Sequence, residues 1–222
     1  MNSLTELPFR AIGGTIMEIK DTDASNQEEY RYDITKEDIQ KHPLRSYQGN
    51  IIVIDKEENI KSAVKAIRKY KCIGFDTESR PSFHKGEKHP VSLVQIATDK
   101  AVYLFRINLT GLTHELSSLI QDESITKIGL GLLNDMRELL GERREYRGFL
   151  DLETIAEKNG FKKRGVRALA AHFLGIRISK SSQVSNWERK ELTEKQIRYA
   201  ATDAWVCLRI YDAMRKAPDI EL

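Results

Sequence analysis

The sequence predicts an α/β fold, one mixed β-sheet covered by α-helices, and three observations predict it. Short apolar runs at 51–54 and 72–75 have the length and composition of buried strands, and 125–130 reads as another strand. Between them, apolar residues recur at helical spacing, as in Ile60, Val64 and Ile67. The stretches 91–97 and 101–105 flank Thr98-Asp99-Lys100 and read as a hairpin, so the sheet mixes parallel and antiparallel pairs. With 222 residues, 40% of them hydrophobic and 31% charged, the chain has the make-up of an ordinary globular protein.

In chain order, residues 1–48 are acidic on balance. Within them 9–19 has no clear period, 21–29 reads as an exposed loop, and 34–41 reads as a short helix stopped before Pro43. They are expected to form an arm packed on a domain spanning 49–217, with a tail at 218–222. Strand 51–54 is followed by a helix at 57–70, the strand 72–78, and a loop at 79–90 marked by Pro81, Gly86 and Pro90. After the hairpin, Thr113 is placed to cap a helix carrying Leu116, Leu119 and Ile120 on one face. Strand 125–130 leads through Gly131 into a helix with Leu132, Leu133, Met136, Leu139 and Leu140, stopped by Gly141. Asp151 is placed to cap the next helix, which ends at Gly160, and a further helix carrying Leu169 and Phe173 ends at Gly175. Thr193-Glu194-Lys195-Gln196 is a capping-box pattern opening the last helix, which runs to about Lys216 before Pro218.

A net charge of +3 and a sequence pI near 8.7 do not by themselves demand a nucleic-acid partner. The distribution says more. Lys158, Lys162, Lys163, Arg164, Arg167, Arg177 and Lys180 fall in one stretch without a carboxylate. Such a stretch either meets phosphates or forms a solvated face. No apolar run approaches the ~20 residues of a membrane-spanning helix, and MNSLTELPFRAIGG lacks the pattern of a secretory signal. Cys72 and Cys207 sit inside apolar patterns, which favours buried thiols and a cytoplasmic setting.

The chemistry concentrates where strand 72–78 stops being apolar, at Asp76-Thr77-Glu78. Side chains two apart on a strand share a face, so Asp76 and Glu78 project together. Paired carboxylates repel unless a cation neutralises them, and hard oxygen ligands suit Mg²⁺ or Mn²⁺. On this stretch alone a solvated strand end stays open. Asp135 lies in the first turns of a helix that follows a strand. Tyr199 and Asp203 are four apart on the last helix and face one spot, among small residues that let that helix approach something closely.

Together these residues carry a resemblance. GFDTES, Asn134-Asp135 after a strand–glycine entry, and Tyr199-Ala-Ala-Thr-Asp203 resemble the three signature motifs of the DEDD exonucleases in their tyrosine form. Ser185-Asn186-Trp187, followed by Leu192-Thr193, Gln196 and YAATDA, is similar to the Werner-type exonuclease and ribonuclease D branch. The likeness runs from about 51 to 214, and the second motif is its loosest part. It implies a ribonuclease H-like fold and a 3′→5′ exonuclease that releases 5′-mononucleotides. DNA 3′ ends come first as partner, as in DNA repair, and RNA 3′ ends are the alternative; no membrane and no obligate protein partner is implied. Asp76, Glu78, Asp135 and Asp203 would hold two divalent ions, Mg²⁺ or Mn²⁺, which clamp an in-line phosphoryl displacement, and Tyr199 would orient the attacking water. Thr77, Arg80, Lys85, Lys88, Lys162, Lys163, Arg164 and Lys180 are expected to hold the strand, and Trp187 either to stack a base or to pack in the core. A non-catalytic nucleic-acid-binding protein on the same fold is the rival reading, and it would be expected to lose carboxylates that are all present here.

Overall fold

Alternation of apolar strands with amphipathic helices gives a sheet whose two faces are covered by different helices. The computed structural model describes residues 31–84, 86–142 and 146–222. The expectations for 9–19 and 21–29, and the side chain of Lys85, lie outside these residues. Among the described residues the strands are β1 (Asn50–Ile54), β2 (Cys72–Ser79), β3 (Val91–Ala97), β4 (Ala101–Phe105), β5 (Thr126–Gly129) and β6 (Phe149–Asp151). They join one sheet in the order β1-β4-β3-β2-β5-β6. The pairs β2–β3 and β3–β4 are antiparallel, and β1–β4, β2–β5 and β5–β6 are parallel.

The helices are α1 (Lys36–Lys41), α2 (Ile60–Ile67), α3 (Ile107–Thr110), α4 (His114–Ile120), α5 (Leu132–Leu140), α6 (Leu152–Lys158), α7 (Val166–Leu174) and α8 (Glu194–Met214). The expected helix 57–70 opens as a single 3₁₀ turn, Glu57–Asn59, and is regular only over α2. Two elements were not expected, α3 and β6. Both are too short for their residues to mark a period. No helix of the described residues is long and apolar enough to cross a membrane.

Alternation along β2 divides the core. Ile73 and Phe75 point to one face, where α2 and α4 cover them with Ile60, Ile67, Leu116 and Leu119. Leu93, Ala97, Val102 and Leu104 point to the other face, against Ala200, Ala201 and Ala204 of α8. Gly74 makes that second contact possible, because a Cβ there would sit 2.0 Å from the carbonyl oxygen of Ala204. Only a glycine on the strand and alanines on the helix allow backbones to come so near. α6 and α7 complete the core with Leu152, Ala156, Leu169 and Ala170. The free thiols Cys72 and Cys207 both lie in this region, Cys207 buried and Cys72 half-buried.

The described part of the arm is tied down by backbone pairing. Single β-bridges join Tyr32 to Phe161 and Leu44 to Arg177. The Tyr47 N–H donates to the Thr202 hydroxyl of α8 at 3.0 Å, and Arg198 donates back to the Tyr47 carbonyl at 2.9 Å. Thr35 and Asp38 form a capping box that starts α1.

Candidate active site

The close approach of α8 to β2 brings the acidic residues of two distant segments together. Asp76 and Glu78 follow Gly74 on the α8 side of β2. Asp203 precedes Ala204, the residue whose carbonyl meets Gly74. One carboxylate oxygen from each of Asp76, Glu78 and Asp203 lies within 4.8 Å of the others. Asp135 stands outside that trio, yet near enough for its charge to raise the pKa of both Asp76 and Glu78.

α5 is aimed at the cluster by two devices. Gly131, at its N-terminus, takes a left-handed conformation with φ +70°. The N–H groups of Gly131 and Leu132 donate to the two carboxylate oxygens of Asp151, each at 3.1 Å. Asp151 also accepts from the Glu153 N–H at 2.9 Å and so caps α6. One carboxylate thus fixes the start of two helices.

Electrostatics mark the cluster as incomplete by itself. Burial, then the Asp203 and Asp135 charges, push the Asp76 pKa well above the carboxylate range. Burial raises Asp203 as well. Burial and then the Asp76 charge lift Glu78 to about 10, and burial lifts Asp135 to about 6 against a hydroxyl interaction from Thr77. Asp76 and Glu78 keep part of their surface open at the rim, although protein surrounds them densely enough that desolvation leads for both. Tyr199 directs its hydroxyl at Asp203. Burial first, and then the Asp203 and Glu78 charges, hold it as a neutral phenol.

Two neighbours add to this account. Gln95 lies directly across from Asp76 in the β2–β3 register and is fully buried, with neither amide atom hydrogen-bonded among the described residues. Trp187 is fully buried, its ring 6.2 Å from that of Tyr199. Its indole N–H favours the Glu78 anion electrostatically but lies outside hydrogen-bonding geometry. Buried polar groups left unpaired cost about 1–3 kcal/mol each. Three converging carboxylates with raised pKa values fit a site that takes hard divalent cations.

The structure sorts the remaining expected residues. Trp187 does not offer a face to a base. Gln196 donates to Ser185 Oγ at 3.2 Å and to the Asn186 carbonyl at 3.1 Å, and Arg106 donates to the carbonyls of Arg189 and Lys190, fixing the segment with its indole inward. Thr77 is turned to Asp135. Lys162 and Lys163 pair with Asp33 at 3.4 and 3.7 Å, and Arg164 pairs with Glu157 and Glu153. Asp33 comes from the arm and Glu153 and Glu157 from α6, so these three cations of the basic run already meet carboxylates of the chain itself. Arg80 pairs with Glu188 at 3.4 Å. Lys88 and Lys180 remain exposed.

Sequence reasoning missed Gly74, Gln95 and the second role of Asp151. Gly74 was findable, since a glycine two before Asp76 shares its face. The partners of Gln95 and Asp151 are set by sheet register and strand order, which no local pattern encodes.

Comparison with known proteins agrees with this geometry. Residues 51–218 match the family described as 3′-5′ exonuclease. An Arabidopsis thaliana protein named 3′-5′ exonuclease is 31% identical over 157 residues, covering 66% of this chain and 54% of that protein. Among solved structures, the Aedes aegypti Nibbler EXO domain superposes with a TM-score of 0.68 at 24% identity, covering 79% of this chain and 91% of that one. Escherichia coli RNase D, described as an exoribonuclease involved in structured RNA processing, does so at 0.66 and 24%, covering 75% and 45%. The sheet and its flanking helices are those of the ribonuclease H-like fold. The chain spans about half or less of the length of the curated relatives it matches.

Proposed function

The chain belongs to the 3′-5′ exonuclease family, and we propose that it hydrolyses phosphodiester bonds one nucleotide at a time from a nucleic-acid 3′ end, in the tyrosine form of the DEDD reaction. The observation that carries this reading is the Asp76–Glu78–Asp203 cluster, whose ligand oxygens converge within 4.8 Å and whose charges have no ion-pair partner among the described residues. Asp76, Glu78 and Asp203 would hold divalent ions, with Asp135 completing the set. Bound there, two such ions, Mg²⁺ or Mn²⁺, would supply charge stabilisation to the oxygens of the phosphoryl group being displaced.

The chain's own groups do the rest. The neutral Tyr199 hydroxyl is too weak a base to take the proton of the attacking water at neutral pH, so it acts by orienting that water. Asp203, one turn away, fixes the hydroxyl's direction. Asp151 holds α5 so that Asp135 faces the cluster. The product is a 5′-mononucleotide, because the bond broken is the one to the 3′ oxygen.

DNA is proposed as the first of two substrate strands; the Ser185-Asn186-Trp187 and YAATDA segments resemble a branch that holds both Werner-type exonucleases and ribonuclease D. RNA is the second reading, favoured by the superposition on RNase D. Digestion of matched 3′- and 5′-labelled DNA and RNA oligonucleotides with Mg²⁺ or Mn²⁺ tests both. Immediate release of a labelled mononucleotide from the 3′-labelled strand, abolished by chelator, is expected. Products from internal cuts, or activity that survives excess chelator, would overturn the reading.

A further inference from the structure

Beside Tyr199, on the flank of α8, lies an opening of about 280 Å³ that the carboxylate site does not include. Its lining is chemically one-sided. Arg45, Lys195 and Arg198 bring three cations and Ser179 and Ser181 two hydroxyls, and no carboxylate among the described residues lines it. Arg198 is partly committed to the Tyr47 carbonyl. Arg45 and Lys195 are exposed and have no ion-pair partner among the described residues, in contrast with Lys162, Lys163 and Arg164. The half-exposed side chain of Leu44 adds an apolar wall.

The walls are fixed before any ligand arrives. The Arg45 N–H donates to the Arg177 carbonyl at 2.9 Å, and the Arg177 N–H donates to the Pro43 carbonyl at 3.0 Å. This pairing joins the arm to the segment bearing Ser179 and Ser181. Tyr47 is bonded to α8 through Thr202. One side of the opening, Leu44 to Ser46, therefore comes from residues that precede the family match at 51–218.

We propose that this opening is a subsite for a backbone phosphate of the substrate strand, next to the scissile bond. Arg45 and Lys195 would supply the charge, Ser179 and Ser181 the hydrogen bonds, and Leu44 an apolar surface for the adjoining sugar. The proposal rests on the exonuclease reading, since Tyr199 lines the opening and also faces the Asp203 carboxylate. A strand that presents its 3′ end to the cluster would pass this opening, and a phosphodiester fits its charge and donor set.

The test uses the full chain, a fluorescent single-stranded oligonucleotide of the type the wild type degrades, and chelator to prevent cleavage. Binding is followed across a salt series for the wild type, Arg45→Ala/Lys195→Ala, Ser179→Ala/Ser181→Ala, and a control, Lys61→Ala/Lys65→Ala, on the far helix α2. The Arg45/Lys195 double variant is expected to bind about tenfold more weakly near 0.1 M salt and to lose about 0.7 from the slope of log K against log salt, the contribution of one neutralised single-strand phosphate. The serine variant is expected to lose affinity with the slope retained, and the control to keep both. A 5′-mononucleotide or inorganic phosphate is expected to compete only weakly, because a single phosphate engages this subsite alone. An unchanged slope in the Arg45/Lys195 variant, an equal loss in the control, or a mononucleotide that competes as well as the strand overturns the subsite. If the wild type degrades the strand in Mn²⁺ while the slopes are unchanged, the subsite alone fails. If it degrades no nucleic acid, the exonuclease reading fails with it.

Discussion

Two charged regions of this molecule look alike in sequence and differ completely in the fold. The stretch 158–180 concentrates cations, and the strand end 76–78 concentrates anions. Around Lys162, Lys163 and Arg164 the fold supplies Asp33, Glu153 and Glu157, so each cation meets a carboxylate. Around Asp76 and Glu78 it supplies Asp203 and Asp135, which deepens the repulsion. A run of like charge in sequence is therefore ambiguous. What separates structure from chemistry is whether folding brings the opposite sign or more of the same. A fold that gathers like charges beneath a helix loses stability unless something outside the chain neutralises them.

Breaking the acidic side should have the largest effect. Asp76→Asn or Asp203→Asn is expected to reduce turnover by on the order of 10³-fold or more, as loss of a preorganised electrostatic group does. The same change should leave the metal-free fold no less stable, because it removes a repelling charge. Steady-state rates and thermal melting in chelator read both halves. A fall in melting temperature together with retained activity would show that these carboxylates serve the fold.

Tyr199→Phe should cost roughly 10²-fold in kcat, the scale of a lost positioning contact, with the Mn²⁺ midpoint unmoved. Single-turnover kinetics across a Mn²⁺ titration, run beside Asp203→Asn, separates orientation from ligation. A Tyr199→Phe midpoint displaced as far as that of Asp203→Asn would sink the division of roles.

Gly74→Ala tests the contact that assembles the cluster. Its added Cβ would overlap the Ala204 carbonyl, so α8 must retreat, at about 1–3 kcal/mol by the cost of overpacking. Activity should fall with stability, and urea unfolding measures the latter. Wild-type stability and rate in this variant would mean that the helix approach is not required.

The smallest effect is expected on the basic side. Neutralising Lys162, Lys163 and Arg164 together should cost no more than about 1 kcal/mol, as exposed ion pairs do, and should barely change the salt dependence of strand binding. From sequence alone these residues were expected to hold the strand. A slope reduced by ~2 in the triple variant, at about 0.7 per contact, would restore that expectation.

Much of this was legible from the chain. Strand 72–78, the capping box at Thr193 and the i, i+4 pair Tyr199–Asp203 are local patterns, and each formed where its pattern stood. The four carboxylates were nameable because their motifs resemble a family. Three of them converge tightly, while Asp135 sits against Thr77. Pairing partners were not legible. Asp33 for Lys162, Gln95 across from Asp76, and Asp151 against Gly131 all depend on register and strand order. Trp187 likewise turned inward because Gln196 and Arg106 hold its segment, and the Arg106 contact joins it to a residue 84 positions away in the chain.

The central claim is that the acidic cluster is completed by a divalent cation, and thermal melting against pH with and without Mn²⁺ tests it most directly. A carboxyl in the unfolded chain titrates near 4, whereas Asp135 is held at about 6 and Glu78 at about 10 in the fold. The folded state thus binds more protons than the unfolded state above pH 4, and the cluster's contribution to metal-free stability falls as pH rises through that window. Mn²⁺ should therefore raise the melting temperature strongly at pH 8, by the mass action of a ligand bound only to the folded state, and little at pH 5, where protons already neutralise the cluster. Asp203→Asn should abolish most of that rise. Equal melting temperatures with Mn²⁺ and with chelator at pH 8 would contradict the account.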